Sequence, residues 1–360
     1  MDQDIPHNEI IIEVRGNVGV VTLNRPQSLN ALSLDMIREI ASALNKWKDD
    51  KGVHAVVFKG TGDKAFCAGG DIKTFYSAGM DLRKGAVSER VPLVFFGEEY
   101  ALNRQIFNYP KPTVSLMTGI TMGGGYGIAG HCNLRITSAN TVMAMPEVKI
   151  GFFPDIGGMY HLEQCPHNYG RYLALTGAQI DGKLTTTLGL ADVYLEQVDE
   201  NKVLKAVQDN AGAKDFRQTM TQVVGTADFG VEVPHAALIE KAFQGTNIQS
   251  ILKALEDDGT SHAADIFEDI HVVSPTSVRV VCEYMTRLNE MSFDDVIAQD
   301  FTLVQTFIKQ PDMYEGIRAK LIDKDNNPKW MPDKLKDVSE EAVKEYFTPT
   351  GYDLNDVEVF

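Results

Sequence analysis

The chain has 360 residues, 44% hydrophobic and 23% charged, enough to bury a large core without a disulfide or metal staple. Its net charge of −16, with no basic stripe or arginine-rich run, argues against nucleic acid as the main partner, and any phosphate-bearing ligand must be held by local groups. Cys67, Cys132, Cys165 and Cys282 lack Cys-x-x-Cys spacing and read as reduced thiols, and the eight histidines form no His-Glu-x-x-His cluster, so no metal site is expected.

The chain begins MDQDIPHNEI, without a basic n-region, an apolar h-region or an arginine-rich amphipathic stretch. No apolar run approaches the length of a bilayer span, so no membrane association is expected, and a bacterial cytoplasm is the expected compartment. IIIEVRG and VGVVTLN, meeting around Gly16 and Asn17, read as a β-hairpin. In SLDMIREIASALNKWKDD the apolar residues Met36, Ile37, Ile40, Ala41, Leu44 and Trp47 recur at helical spacing. Ser33 is the expected N-cap of that helix, with Asp35 favourable in its first turn. VHAVVFKG is a buried-strand pattern that runs into the glycine-rich loop GTGDKAFCAGGD. A helix from about Arg90 to Asn108 leads to Pro110 and Pro112; PTVSLMTG is a strand, GGGYGIAGHC opens a helix, and NLRITSA and TVMAMPE are short strands. This is the pattern of ββα units stacked around a parallel core. From about Asp199 the texture turns to amphipathic helices. Residues 1–199 are therefore read as the α/β core carrying the active site, and residues 200–360 as a mostly helical region packed on it.

Three segments suit chemistry. In Ala65-Phe66-Cys67-Ala68-Gly69-Gly70-Asp71, small residues after a strand let backbone approach a ligand, and a helix starting at Asp71 would aim its positive dipole end there. A tight strand-to-helix turn needs the same residues. In Thr121–Gly130, Gly123, Gly124 and Gly125 expose bare N–H groups, and one N–H from each loop can hold one oxygen. Losing one such donor typically costs about 3–4 kcal/mol of transition-state stabilisation. Gly125 to Gly130 also fits G-x-G-x-x-G, with Glu147 near the distance of a ribose-binding acid. That reading sits mid-chain and leaves Gly123 and Gly124 unexplained, so it is set aside. In Met145–Gly158, Glu147 and Asp155 stand eight residues apart among apolar residues and glycines. Carboxyls in such surroundings hold protons tightly and serve as acid, base or nucleophile. Asp155 can equally be a helix N-cap. By itself the pair Glu98-Glu99 reads as a solvated helix face.

Together NRPQSLNAL, AFCAGGDIK, GITMGGGYG and MPEVKIGFFPDIGG resemble the crotonase (enoyl-coenzyme A hydratase/isomerase) superfamily, over nearly the whole chain. VFFGEEYALN, FPDIGG, the long helical C-terminal part and GIRAKLIDKDNNPKW look like its 3-hydroxyisobutyryl-coenzyme A hydrolase branch. The resemblance implies the ClpP/crotonase-like ββα spiral, with an oxyanion hole from the N–H groups of Gly70 and Gly124. Coenzyme A then lies along NRPQSLNAL and GGDIK, with Arg25, Ala31 and Lys73 as contacts and basic residues such as Lys320 near its phosphates. Coenzyme A is part of the substrate, and no separate cofactor is implied. Hydratases of this superfamily carry a glutamate just after the glycine triplet, where this chain has Gly127. The branch matches Glu147 and Asp155 as the catalytic pair and Glu99 as a substrate-binding acid. It thus implies hydrolysis of a short 3-hydroxyacyl-coenzyme A in valine breakdown. An enoyl-coenzyme A hydratase or isomerase using Glu147 alone, and a non-catalytic coenzyme A-binding protein, are the alternatives. Crotonase relatives often form trimers, and the helical extension bears on whether a homo-oligomer forms.

Overall fold

The computed structural model describes residues 8–88, 90–225 and 232–356. Most of the N-terminal stretch on which the targeting expectation rests, residues 1–7, lies outside the described residues. Strands β1 (Ile10–Arg15) and β2 (Val18–Leu23) form the expected antiparallel hairpin, with Arg15 opposite Val18. In α1 (Leu34–Asp49), Ser33 Oγ accepts the Met36 N–H at 3.2 Å, satisfying one of the helix's orphan donors. All six of the expected apolar positions are buried.

Three repeats follow. Each places one strand in a large sheet and the next in a small one. They are β3 (Ala55–Gly60) with β4 (Ala65–Cys67), β5 (Thr113–Met117) with β6 (Ile120–Met122), and β7 (Leu134–Ser138) with β8 (Val142–Ala144). Helices α2 (Ile72–Arg83) and α3 (Arg90–Phe107) follow β4, and α4 (Gly124–Ala129) follows β6. After β8 come α5 (Gly158–Leu162), α6 (Tyr169–Thr176), β9 (Ile180–Asp181), α7 (Gly182–Thr187) and β10 (Val193–Leu195). The large sheet runs β1-β2-β3-β5-β7-β10 and the small one β4-β6-β8-β9. Beyond the hairpin the large sheet is parallel, and its strands are buried on both faces as such sheets require. In β3, Val56 and Phe58 face the main core while Ala55 and Val57 face a second apolar cluster.

Helices α8 (Glu200–Asn210) and α9 (Phe216–Val224) close that second cluster with Val203, Leu204, Val207, Phe216 and Met220. The remaining helices are α10 (Ala236–Ala242), α11 (Ile248–Asp258), α12 (Ser261–Val272), α13 (Pro275–Met285), α14 (Phe293–Phe307), α15 (Pro311–Ile317) and α16 (Glu340–Tyr346). Among the described residues no strand follows Leu195. The helical part enters the main core beside the Phe152-Phe153 pair: the Phe307 ring lies 5.1 Å from Phe152 and 5.2 Å from Phe153, and Tyr284 lies 6.3 Å from Phe153. No helix among the described residues is long and apolar enough to cross a membrane.

Candidate active site

Two turns are laced together by backbone. Leu32 N–H donates to Gly69 O at 2.8 Å, Asp71 N–H to Leu32 O at 2.8 Å, and Ala68 N–H to Leu29 O at 3.0 Å. Asn30, in the left-handed region at φ 57°, holds the first turn: its Nδ2 donates to Thr61 O at 3.0 Å and Ala65 O at 2.8 Å. Asp71 caps α2 by accepting the Thr74 N–H at 3.2 Å, which aims the start of that helix at the loop. Arg25 is committed within the chain: it pairs with Asp71 at 3.1 Å and Glu9 at 3.0 Å, and donates to Ala31 O at 2.8 Å. Of the expected coenzyme A contacts, Arg25 and Ala31 thus lie together in one turn, and Lys73 is exposed on the first turn of α2. Lys320 is also exposed and donates to Asn326 Oδ1 at 2.9 Å.

The turn from β6 into α4 meets this loop. Gly123 takes φ 49°, which favours glycine, and a Cβ there would lie 2.9 Å from Glu147 Oε1. A Cβ on Gly124 would collide with Glu99 Oε1 and lie 3.2 Å from Gly70 N. One on Gly127 would lie 2.9 Å from Asn103 Nδ2 and 3.2 Å from Ile156. Glu147, Glu99 and Asn103 therefore rest directly on bare glycine backbone. No hydrogen bond within the described chain takes up the N–H of Gly70 or of Gly124.

The acids converge here. Glu99, Glu147 and Asp155 are 3%, 6% and 5% exposed, so almost no water screens them. Burial is the main cause that drives all three to hold protons tightly. The charge on Asp155 pushes Glu99 and Glu147 further up, well above the usual carboxyl range. Asp155 is pushed up to about 7, and the Tyr100 hydroxyl, donating to its Oδ2 at 2.6 Å, pulls it back down. Glu99 Oε1 and Glu147 Oε2 are buried without a hydrogen-bond partner.

Two alternatives from the sequence are corrected. Asp155 is not a helix cap: α5 starts after Gly157, and the Asp155 side chain bonds Tyr100 instead. Glu98 and Glu99 are not a solvated face: both are buried, because Glu98 meets Arg38 in a fork at 2.7 and 2.8 Å while Glu99 turns into the site.

Sequence reasoning missed Tyr100, Asn103 and Asp300. Asn103 follows Glu99 by four residues on α3, a spacing that a helical reading of the segment could have supplied, whereas Tyr100, one residue on, points away from that face. Asp300 comes from α14, and nothing local points to it. Its Oδ2 accepts the Gly157 N–H at 2.8 Å and its Oδ1 the Tyr284 hydroxyl at 2.7 Å, fixing the loop that carries Asp155. His131 reaches Ile156 O at 2.7 Å from the other side, holding a residue that sits at φ 56°.

The family model for enoyl-CoA hydratase/isomerase matches residues 18–347. The chain belongs to this family. It is 37% identical over 358 residues to the mitochondrial 3-hydroxyisobutyryl-CoA hydrolase of Xenopus tropicalis, covering 96% of this chain and 90% of that protein. It is 36% identical over 354 residues to the human protein of the same name, covering 95% and 89%. Among solved structures it superimposes with a TM-score of 0.85, at 35% identity, on a carnitinyl-CoA dehydratase from Mycobacterium thermoresistibile, covering 96% of this chain and 98% of that one. The architecture is thus the crotonase ββα spiral with an added helical region.

Proposed function

We propose that the chain hydrolyses the thioester of a short 3-hydroxyacyl-coenzyme A, 3-hydroxyisobutyryl-coenzyme A first among them, a step of valine breakdown. One observation carries the reading: the buried carboxyl of Glu147, which interacts with buried Asp155, lies against the glycine turn whose Gly124 N–H is free beside that of Gly70. The thioester carbonyl oxygen accepts from both N–H groups as negative charge develops on it. Ionised Glu147 then either attacks the carbonyl carbon, releasing the thiol and leaving an anhydride that water cleaves, or takes a proton from the water that attacks. Asp155, held by Tyr100, orients Glu147 and the water. Glu99 accepts the 3-hydroxyl. Coenzyme A enters along the turn of Arg25 and Ala31 and past Lys73, and all the chemistry is assigned to the chain's own groups.

Hydration is the second reading, favoured by the dehydratase among the superimposed structures. It lacks a second acid at position 127, where any side chain meets Asn103 and Ile156. Thiol release from 3-hydroxyisobutyryl-coenzyme A, compared with loss of enoyl absorbance from crotonyl-coenzyme A, separates the two. Release no faster than that of Glu147→Gln overturns the hydrolase reading.

A further inference from the structure

Asn103 is wholly buried, yet neither its Oδ1 nor its Nδ2 has a hydrogen-bond partner. Buried amides are normally satisfied, so one left bare in a protein interior points to a ligand that completes it. Glu99 Oε1, against Gly124, and Glu147 Oε2, whose sister oxygen lies against Gly123, are in the same state.

Its place follows from two facing helices. Glu99 and Asn103 are four residues apart on α3 and share a face, with Cβ atoms about 5–6 Å apart. They rest on Gly124 and Gly127, which lie three residues apart on α4. Asn103 therefore sits about one helical turn, roughly 5 Å, further along α3 than Glu99. With a thioester carbonyl at Gly70 and Gly124, an acyl chain pointing inward brings its third carbon toward that level. One oxygen at about 2.8 Å from each group bridges two side chains so spaced.

We infer that Asn103 is the residue that selects hydroxylated acyl groups: its Nδ2 donates to the 3-hydroxyl oxygen, while the hydroxyl donates to Glu99. This rests on the thioester-hydrolase reading. A hydroxyl is both donor and acceptor, so it gives Glu99 a donor and the Asn103 Nδ2 an acceptor together. An acyl group without it leaves the amide unpaired, and a site built to bond a hydroxyl rejects such analogues strongly.

The test compares thiol release from 3-hydroxyisobutyryl-coenzyme A and isobutyryl-coenzyme A by the full chain, Asn103→Leu and Asn103→Asp, with far-UV dichroism and a thermal melt for each. Leucine removes both polar atoms; aspartate keeps the shape and removes the donor once it is ionised, so its rates are taken at the alkaline end of the active range. We expect the ratio of kcat/KM between the two thioesters to fall at least about tenfold in both variants, through loss with the hydroxylated one. If Asn103→Leu does not fold, Asn103→Asp decides. A folded variant whose ratio is unchanged, or in which both thioesters slow equally, overturns the inference and leaves the hydrolase reading standing. A native chain that releases thiol from neither overturns the hydrolase reading, and the role of Asn103 with it.

Discussion

The Tyr100 hydroxyl donates to Asp155 Oδ2 at 2.6 Å, and both residues are buried, with no cation among the causes acting on the acid in the described residues. Burial raises the proton affinity of Asp155 and this bond opposes it. A hydrogen bond to a charged group is worth about 1.5–3 kcal/mol, and one pKa unit is about 1.4 kcal/mol. Tyr100→Phe is therefore expected to move the acid limb of the kcat/KM profile upward by about one unit. Because Asp155 and Glu147 interact, the limb belongs to the pair. Thiol release measured from pH 5 to 9 checks this, and a superimposable profile contradicts it.

Asp155 also links stability to pH. Its folded-state pKa, about 7, lies above the ordinary carboxyl value of about 4. Between these values the unfolded chain gives up its proton while the folded chain keeps it. Its contribution is therefore intact below about pH 4, falls as pH rises, and is fully lost above about pH 7. An asparagine at this position would carry no charge to bury. Asp155→Asn should raise the melting temperature by a few degrees at pH 8 and by much less at pH 4. A gain independent of pH would rule this account out.

Gly124→Ala introduces a methyl that meets the Glu99 carboxyl and Gly70 N. The N–H is retained but is displaced by the clash, so kcat should fall by up to about 10²–10³, the effect of losing one oxyanion donor, with a smaller effect on KM. Gly212→Ala is the control, because a Cβ there meets nothing within 4 Å. Equal activity of Gly124→Ala and the control would remove this turn from the mechanism.

Gly127→Glu restores the acid that hydratases carry at this position, yet it should not create a hydratase. A Cβ there lies 2.9 Å from Asn103 Nδ2 and 3.2 Å from Ile156, so the new side chain displaces both or turns away. The expected result is lower thermal stability and no consumption of crotonyl-coenzyme A. Hydration by this single variant would show that the acid alone separates the two chemistries.

Much of the fold was legible because it is written in local periodicity. The β1–β2 hairpin, α1 with its Ser33 cap and the strands on either side of the glycine turns all follow from apolar spacing and turn chemistry. The ends of α3 and the helical texture after residue 199 are legible for the same reason.

The site divides differently. The sequence alone determined which residues are the candidates: Glu147 and Asp155 among glycines and aromatics, and bare backbone at Gly70 and Gly123–Gly125. Only the tertiary structure decided how their environment acts on them. Burial is a property of packing between distant segments, and α3 supplies Glu99, Tyr100 and Asn103 to a turn more than twenty residues away. Asp300 reaches the same site across 143 positions to bind Gly157 N–H. Proton affinity, hydrogen-bond satisfaction and the fit of Asn103 over Gly127 depend on such contacts, and no periodicity along one segment encodes them.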